Sequence, residues 1–164
     1  MRIRDAHEHD AQVLTDLMRS AKRSWGYPDA WMETWAAGLT ITLEDTVAMR
    51  VRVAEDANGI LGFYALRGSG ARVHLEHLWI DPENMGKGIG RSLIADALVE
   101  AARLGAQIIA IESDPNAEPF YLRMGAIRVG EVPAPMAGAP NRALPLLELQ
   151  VGRSQPPVPP KAAG

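Results

Sequence analysis

The 164-residue chain contains no cysteine, which excludes disulfide bonds, a thiol nucleophile and cysteine-based zinc sites. It also lacks any apolar run that approaches the ~20 residues needed to cross a bilayer. An excess of positive charge is missing too, because the formal net charge at pH 7 is −3. A basic footprint is what nucleic-acid-binding proteins require. The sequence therefore predicts neither a membrane partner nor a nucleic-acid partner.

The remaining composition is typical of a single globular domain. Hydrophobic residues make up 47% and charged residues 23% of the chain, both ordinary fractions. A chain of this length fits one domain that buries ~70% of the surface its unfolded form exposes. The N-terminal segment, residues 1–5, is charged and has no apolar stretch of the signal-peptide kind. We therefore expect a soluble cytoplasmic protein.

Hydrophobic spacing and turn residues predict the element order β-α-α-β-β-β-α-β-α-β-β. The predicted strands are 2–4, 47–55, 60–67, 72–80, 107–112, 126–132 and 144–151. The predicted helices run from the Asp10 cap to about residue 23, then over 29–38, 88–104 and 117–124. Three consecutive strands joined by short turns indicate an antiparallel meander. The expected fold class is α/β (α+β), with a mostly antiparallel sheet and about four flanking helices.

Two features define the limits of the predicted domain. In the first helix, five apolar residues recur at helical spacing and are expected to face the core: Val13, Leu14, Leu17, Met18 and Ala21. At the other end, residues 152–164 carry two Pro-Pro pairs, which favours an extended, disordered tail. The predicted domain therefore spans residues 1–151.

The most informative segment is a strand that runs into a loop with glycine at 86, 88 and 90, which opens the longest predicted helix. Glycine permits close approach of the backbone, and the free N–H groups of a helix start form an anion site. Lys87 and Arg91 add positive charge beside it. This pattern predicts a phosphate-bearing ligand, and the alternative is a helix start that needs only a flexible turn.

Two other phosphate motifs do not fit the same residues. A P-loop requires Gly-Lys followed directly by Ser or Thr, whereas Lys87 is followed by Gly88. A dinucleotide fingerprint requires G-x-G-x-x-G after the first strand of a parallel βαβ unit. Here the spacing is G-x-G-x-G, and the preceding strand ends an antiparallel meander. Both motifs are therefore excluded.

The strand, the glycine-rich turn and the helix resemble the acetyl-CoA-binding motif of the GNAT superfamily, R/Q-x-x-G-x-G. A second segment, 114–126, with Asn116-Ala117 and Phe120-Tyr121 before Gly125, is similar to the family's N-A-x-x-F-Y-x-x-x-G motif. Two motifs in the family's order are far more specific than either one. Met85 stands where the family usually has Arg or Gln, but the backbone amides that follow do not depend on this side chain.

The resemblance implies a GNAT-like sheet with two splayed central strands and acetyl-CoA bound as co-substrate in the gap. It implies that the pantetheine arm pairs with the strand near Leu78 and Ile80, and that the pyrophosphate lies on the amides of the glycine loop. The implied cofactor contacts are Leu78, Trp79, Ile80, Met85, Gly86, Lys87, Gly88, Ile89, Gly90, Arg91, Ser92, Asn116 and Tyr121.

The implied reaction is N-acetylation, in which a primary amine attacks the thioester directly in a ternary complex. A protonated alkyl amine has a pKa of ~10.4, so it must lose a proton first. Glu76, a carboxylate in an otherwise apolar strand, is the first candidate base, directly or through water. A carboxylate on the solvent face is the alternative reading. His77 and His74 are the alternative bases, and strict alternation puts His77 on the face opposite Glu76.

Tyr121 is the candidate acid that protonates the departing CoA thiolate, because the Phe120-Tyr121 pair matches the family motif. A phenol has a pKa of ~10 and stays protonated at neutral pH. A buried ring whose hydroxyl bonds a backbone carbonyl is the alternative role. Asn116 is expected both to cap the short helix and to contact the pantetheine, and Phe120 is expected in the core.

Aromatic residues are concentrated in the part of the chain that is expected to bind the acceptor. Four of the nine aromatic residues lie between positions 25 and 35. Trp31 and Trp35 are expected to pack helices onto the sheet. Trp25 and Tyr27, in a Gly/Pro-bounded loop, are the candidates for lining an acceptor pocket. The acceptor is either a small molecule or a peptide amine, and the sequence is compatible with a homodimer.

Two other functional classes stay open at this level. One is a non-catalytic acyl-CoA-binding sensor or assembly module that kept the cofactor site. The other is an interaction protein that uses the aromatic loop and the Pro-rich tail. His7 and His9 are expected on the surface, and no spacing of His and carboxylate residues indicates a metal site.

Overall fold

A computed structural model describes residues 1–152 and shows seven strands and five helices in this part of the chain. The strands are β1 (Arg2–Asp5), β2 (Arg50–Asp56), β3 (Gly59–Arg67), β4 (Arg72–Ile80), β5 (Ile108–Glu112), β6 (Ile127–Pro133) and β7 (Ala143–Gln150). The helices are α1 (Ala11–Arg23), α2 (Asp29–Trp35), α3 (Leu43–Ala48), α4 (Ile89–Arg103) and α5 (Glu118–Arg123). The predicted Pro-rich tail lies outside the described residues, apart from Gly152.

The strands form one sheet in the order β1-β2-β3-β4-β5-β7-β6. Every neighbouring pair is antiparallel except β4 and β5, which run parallel. A parallel pair needs a crossover connection, and α4 supplies it. The predicted mixed, mostly antiparallel fold and the β2-β3-β4 meander are therefore confirmed.

Each face of the sheet carries its own hydrophobic core. On one face, α4 buries Leu93, Ile94 and Ala97 against β3, β4, β5 and β7, and α5 closes the end of this layer. On the other face, α1 buries Leu14 and Met18 against β2 and β3. The sheet therefore separates a layer of α4 and α5 from a layer of α1 and α2.

A polar clamp fixes α4 on the sheet. Nε and Nη2 of Arg52 on β2 donate to the carboxylate of Asp96 on α4, at 3.0 and 3.1 Å. The hydroxyl of the fully buried Tyr64 on β3 donates to the same carboxylate at 2.6 Å. Bidentate, charge-assisted bonds of this kind add geometric specificity as well as energy. The clamp therefore holds the middle of α4 against β2 and β3.

Two local predictions were wrong. The segment predicted as the start of a strand at Val47 is the end of α3. Thr42 and Asp45 form a reciprocal capping box that begins this helix, with the Thr42 hydroxyl accepting from the Asp45 N–H at 3.1 Å. Val13, predicted to face the core from α1, is 49% exposed. The other four residues of that predicted stripe are buried.

A β-bulge in β4 changes which way its side chains point. Leu66 of β3 pairs with Leu75, whereas the preceding residue Ala65 pairs with His77, so Glu76 is the extra residue. Glu76 forms an ion pair with Arg67, and His77 packs against Phe63 of the same strand. Phe63 and Arg67 are four positions apart on β3, so their side chains point to the same face of the sheet. The prediction that His77 lies opposite Glu76 was therefore wrong, because the bulge breaks the alternation.

Candidate active site

The two parallel strands separate at the centre of the sheet. β4 pairs with β5 only over residues 72–74, opposite 108–110. Residues 75–80 continue β4 with β3 as their only strand partner among the described residues. A cleft of about 430 Å³ opens between them, with residues 111–114 on its other wall. Its β4 wall therefore presents a backbone edge that a bound ligand can pair with.

The glycine-rich loop closes one end of this cleft. Gly86 and Gly88 have φ of 77° and 83°, the left-handed conformation that favours glycine. Within residues 1–152, no N–H from Gly86 to Arg91 donates to a protein acceptor. Arg91, at the end of this loop, and Arg123 on α5 also line the cleft. Free amides at a helix start, in a cleft that two arginines line, form a site for phosphate.

Gly90 serves a different purpose from the two glycines before it. A Cβ atom built at this position would lie 3.1 Å from the ring of Phe120. The missing side chain therefore lets α5 approach the start of α4. This contact brings the two predicted sequence motifs together, and it confirms that Phe120 packs against the core as predicted.

A valine at Gly88 tests the phosphate site. We expect Gly88→Val to weaken CoA binding at least ~10-fold, because a β-branched residue moves the loop amides out of the left-handed conformation. The matched control is Gly105→Val at the other end of α4, where φ is also 83° and the Cβ would also meet open space. Calorimetric titration with CoA should separate the two variants, which carry similar backbone strain. Equal affinity in both would place the phosphate site elsewhere.

Tyr121 lies at the base of the cleft on α5. Its side chain is buried, yet it lines the cleft, and its hydroxyl has no hydrogen-bond partner among residues 1–152. Burial, with a smaller contribution from the charge of Asp114, raises the pKa of Tyr121 well above its ordinary value. The phenol is therefore fully protonated at neutral pH. The structure offers no backbone carbonyl as its partner in the described part of the chain.

Glu76 and His77 both line the cleft from β4. The Glu76 carboxylate is partly exposed and lies 3.2 Å from Arg67 Nε. Burial lowers the pKa of His77, so its imidazole is neutral at pH 7. His77 Nδ1 accepts from the indole N–H of Trp79 at 3.4 Å. The proton of the neutral ring is therefore on Nε2, which then has no lone pair to offer a substrate.

A buried ion pair lies behind the cleft. Lys22 Nζ of α1 is 2.5 Å from Asp114 Oδ2, and the two side chains are only 11% and 9% exposed. Burial alone would raise the pKa of Asp114, but the hydrogen bond and charge of Lys22 bring it below the ordinary value. Burial lowers the pKa of Lys22, which Asp114 partly offsets. The pair joins α1 to the segment between β5 and α5.

Asn116 belongs to the same network. Its Nδ2 group donates to the Tyr27 hydroxyl at 2.8 Å and to Asp114 at 3.1 Å. The predicted cap role was wrong, because α5 begins at Glu118 with Ala117 at the cap position. Asn116 instead forms a turn in which its backbone N–H donates to the Asp114 carboxylate at 2.8 Å. Its side chain nevertheless lines the cleft.

Trp25 and Tyr27, which were predicted together as acceptor-binding residues, have different surroundings in the structure. Trp25 is 39% exposed and lines the cleft, but Tyr27 is not among the lining residues in the described chain. The Tyr27 ring packs with Trp31 and Trp35, at centroid distances of 5.6 and 5.0 Å. Trp31 also donates from its indole to the carbonyl of Ala137 at 3.0 Å. Trp35 packs against the core on the sheet as predicted, whereas Trp31 joins α2 to the loop after β6.

A comparison of the sequence with models of protein families shows the family to which this chain belongs. The family model described as acetyltransferase (GNAT) domain matches residues 30–137, more than half of the chain. The chain belongs to this family. Both predicted motifs lie within the matched region, so the expected resemblance to GNAT enzymes is confirmed. GNAT acetyltransferases use acetyl-CoA as co-substrate.

Solved structures agree with the GNAT assignment at the level of the fold. The chain is similar to PaiA N-acetyltransferase from Thermoplasma acidophilum in complex with coenzyme A, with a TM-score of 0.72 and 18% identity. That alignment covers 91% of this chain and 98% of the other. Ribosomal-protein-S18-alanine N-acetyltransferase from Escherichia coli gives 0.69 and 14%, covering 93% and 95%. An aminoglycoside 6'-N-acetyltransferase complexed with coenzyme A gives 0.65 and 17%, covering 95% and 100%.

No curated protein matches the sequence at a significant level.

None of the helices described between residues 1 and 152 has the length and apolarity that crossing a membrane requires.

Most residues predicted for the GNAT site come together in the one cleft. Those that line it are Trp25, Glu76, Leu78, Trp79, Ile80, Met85, Gly86, Gly88, Ile89, Gly90, Arg91, Asn116 and Tyr121. Lys87 and Ser92 are not lining residues in the described chain. Lys87 instead donates to Asn84 at 2.9 Å, and the Ser92 hydroxyl donates to the Gly88 carbonyl at 3.3 Å. The Lys87 amide belongs to the loop, whereas the Ser92 amide donates to the Gly88 carbonyl at 3.1 Å within the first turn of α4.

Several cleft residues were missed by sequence reasoning, among them the polar residues Arg123, Ser113 and Asp114. Arg123 lies two positions after Tyr121 on the short helix α5, and a cation at that spacing could have been noticed. Ser113 and Asp114 directly follow β5, and Asp114 was predicted only as the first residue of the second motif. Its four hydrogen-bond donors come from Lys22, Tyr27 and the nearby Asn116, at separations no local pattern reveals. The polar wall of this GNAT cleft was therefore largely unpredicted.

Proposed function

We propose that the protein transfers the acetyl group of acetyl-CoA to a primary amine by direct attack in a ternary complex. The observation that carries the proposal is the Tyr121 hydroxyl. It is the polar tip of a buried side chain, it lines the cleft, and it has no hydrogen-bond partner within residues 1–152. A hydroxyl that opens onto a cleft and bonds no protein group is available to donate its proton to a bound ligand.

The residues of the cleft fit the co-substrate from end to end. We assign the pyrophosphate to the free amides from Gly86 to Arg91, with Arg91 and Arg123 adding charge. The pantetheine arm carries amide groups, and the unpaired backbone edge of Leu78 and Ile80 offers complementary partners. Asn116 adds a polar side chain on the opposite wall. The open cleft between β4 and β5 supports this assignment.

Tyr121 is the proposed acid. Attack of the amine on the acyl carbon forms the C–N bond and breaks the C–S bond, so that the electron pair leaves on sulfur. A thiol has a pKa of ~8.5, so the departing thiolate is basic enough to gain from a proton donor. Tyr121 keeps its proton at neutral pH because its pKa is raised by burial. We infer that it delivers this proton to the sulfur and regains one from solvent.

Glu76 is the proposed base, directly or through a water molecule. The attacking amine must shed one proton, and the cleft wall needs an acceptor for it. Glu76 Oε1 lies near Arg67, which leaves the second carboxylate oxygen available. His77 is the weaker candidate, because its Nδ1 already accepts from Trp79. Trp25 is proposed to line the acceptor end, where it offers an apolar surface.

Removing the charge of Glu76 tests the base. We expect Glu76→Gln to lower kcat/KM by ~10², the low end for a general base, because water can take part of the role. The loss should be greatest at low pH, where the free amine is scarcest, and the Kd for CoA should not change. His74→Gln, on the exposed face of the same strand, is the control. A Glu76→Gln variant with the parent's pH–rate profile would move the role to His77 or to water.

The acceptor class follows from the chemistry and from the names of similar structures. Two of these proteins are named for acetylating an aminoglycoside and a protein alanine, and both groups are amines. We propose an amine acceptor of either kind, a small molecule or a peptide. The chain has no cysteine, so an acetyl-cysteine intermediate is excluded, which supports direct attack.

A panel of amines tests the proposed function as a whole. The protein should release free thiol from acetyl-CoA in the presence of a subset of primary amines, and mass spectrometry should find the matching N-acetyl product. Tight CoA binding without turnover of any amine would instead favour the acyl-CoA-binding sensor.

A further inference from the structure

The connection between α1 and α2 reaches the cofactor wall of the cleft. Tyr27, in this connection, brings its hydroxyl to both oxygens of Asp114, at 2.9 and 3.0 Å. The same hydroxyl accepts a hydrogen bond from Asn116 Nδ2 at 2.8 Å. It therefore acts as donor and acceptor together, which uses its single proton and one of its lone pairs. These residues are 87 and 89 positions from Tyr27 in the sequence.

The network determines the orientation of the Asn116 amide. Its two N–H donors go to Tyr27 and Asp114, so the amide nitrogen is the fully bonded end. The amide oxygen Oδ1 has no donor among residues 1–152. An amide is oriented by its hydrogen-bond partners, and here two acceptors specify the nitrogen. Oδ1 is thus the free polar atom of a side chain that lines the cleft.

The Tyr27 ring is itself held rigidly. Lys22 of α1 places its Nζ 4.9 Å from the centroid of the Tyr27 ring, and the Arg142 guanidinium carbon lies 5.8 Å from the same centroid. Trp31 and Trp35 pack on the same ring. Cation–π and aromatic contacts on the ring stabilise its orientation, so the ring has little freedom to rotate away.

We propose that Tyr27 is a positioning residue for the co-substrate, which fixes Asn116 so that its Oδ1 accepts a hydrogen bond from an amide N–H of the pantetheine arm. This inference rests on the proposed function, because it takes acetyl-CoA as the ligand of the cleft. It replaces the expectation that Tyr27 selects the acceptor amine. The connection between α1 and α2, which was predicted to bind the acceptor, thereby supports the wall of the cleft that binds the cofactor. Trp25 of the same connection lines the cleft.

Removing the single hydroxyl tests this role. Tyr27→Phe keeps the ring and its cation–π contacts and should weaken CoA binding ~3–10-fold, the value of one hydrogen bond. The KM for the amine should stay at the parent value, a split that general loss of stability would not produce. Tyr64→Phe is the matched control, since it also removes a tyrosine hydroxyl bonded to a carboxylate but lies away from the cleft. It should lower stability and leave CoA affinity unchanged.

A double variant decides whether Tyr27 acts through Asn116. In an Asn116→Ala background, Tyr27→Phe should cause no further loss of CoA affinity, because the amide it orients is gone. The inference is overturned if Tyr27→Phe binds CoA as the parent does. It is also overturned if its effect persists in the Asn116→Ala background, or if only the amine KM rises. A parent protein that does not bind CoA would instead refute the proposed function on which the inference depends.

Discussion

Tyr121→Phe is expected to lower kcat by ~10²–10⁴-fold, the range for a positioned proton donor. The substitution removes one oxygen and keeps the ring that packs beside Phe120. Without the acid, the thiolate must leave unprotonated or take its proton from water. Affinity for CoA should change little, because the phosphate site and the β4 edge are untouched. Single-turnover thiol release at saturating substrates measures the chemical step directly.

Stability provides the control for the Tyr121 variant. The hydroxyl bonds no protein group in the described chain, so its removal should leave the free energy of unfolding unchanged or slightly higher. Tyr64→Phe breaks a bond to Asp96 and should instead destabilise the protein by about 1 kcal/mol with near-normal turnover. Full activity in a correctly folded Tyr121→Phe protein would falsify the acid assignment, and water would become the proton source.

Asp114→Asn is expected to cost about 3–5 kcal/mol of stability, the range for breaking a buried ion pair by removing one partner. The new amide has nearly the same shape, but the charge of Lys22 then stays buried with no counter-ion. At the exposed pair of Arg128 and Glu131, the equivalent change Glu131→Gln should cost about 1 kcal/mol or less. Denaturant unfolding of the two variants measures the difference.

The pH dependence of the Asp114 variant has a definite sign. Burial already lowers the pKa of Lys22, and without Asp114 it falls further, while in the unfolded chain it stays at ~10.4. Between these two values the folded state binds fewer protons than the unfolded state, so stability rises with pH. Asp114→Asn should therefore regain stability as the pH approaches ~10. The double variant Lys22→Met/Asp114→Asn should regain most of it at pH 7, and a double variant as unstable as the single one would contradict the ion-pair explanation.

Elements with strong local signals were predictable from the sequence. The strands of the meander, the glycine loop and α4 depend on alternation, turn residues and helical spacing, which act over a few positions. α3 was missed although its capping box, Thr42 and Asp45, is also local, because Val47 and the residues after it read as a strand. The capping box of α3 was therefore visible in the sequence, but the strand pattern that starts at Val47 was given more weight.

Other features depend on contacts that no single segment contains. The bulge at Glu76 arises from the register with β3, and it decides that Glu76 and His77 share a face. The bonds of Tyr27 to Asp114 and Asn116 join residues that only the folded sheet brings together. Local reasoning therefore predicted the glycine loop and Tyr121, both of which line the cleft, and it expected Tyr27 among the lining residues, where the described structure does not place it.

The separation of β4 and β5 has a consequence for what the sheet can recruit. Unpaired strand edges usually invite another polypeptide to add itself to the sheet. Here the open edge lies in the middle of the sheet, between α4 and α5 on one face and α1 on the other, in a space of about 430 Å³. Helices lie over both faces of this edge, so a strand of another protein has no open side from which to approach it, whereas a slender ligand that carries amide groups can enter the cleft. The cleft thus selects its ligand by shape as well as by hydrogen bonding, and it keeps an aggregation-prone edge out of reach of other proteins.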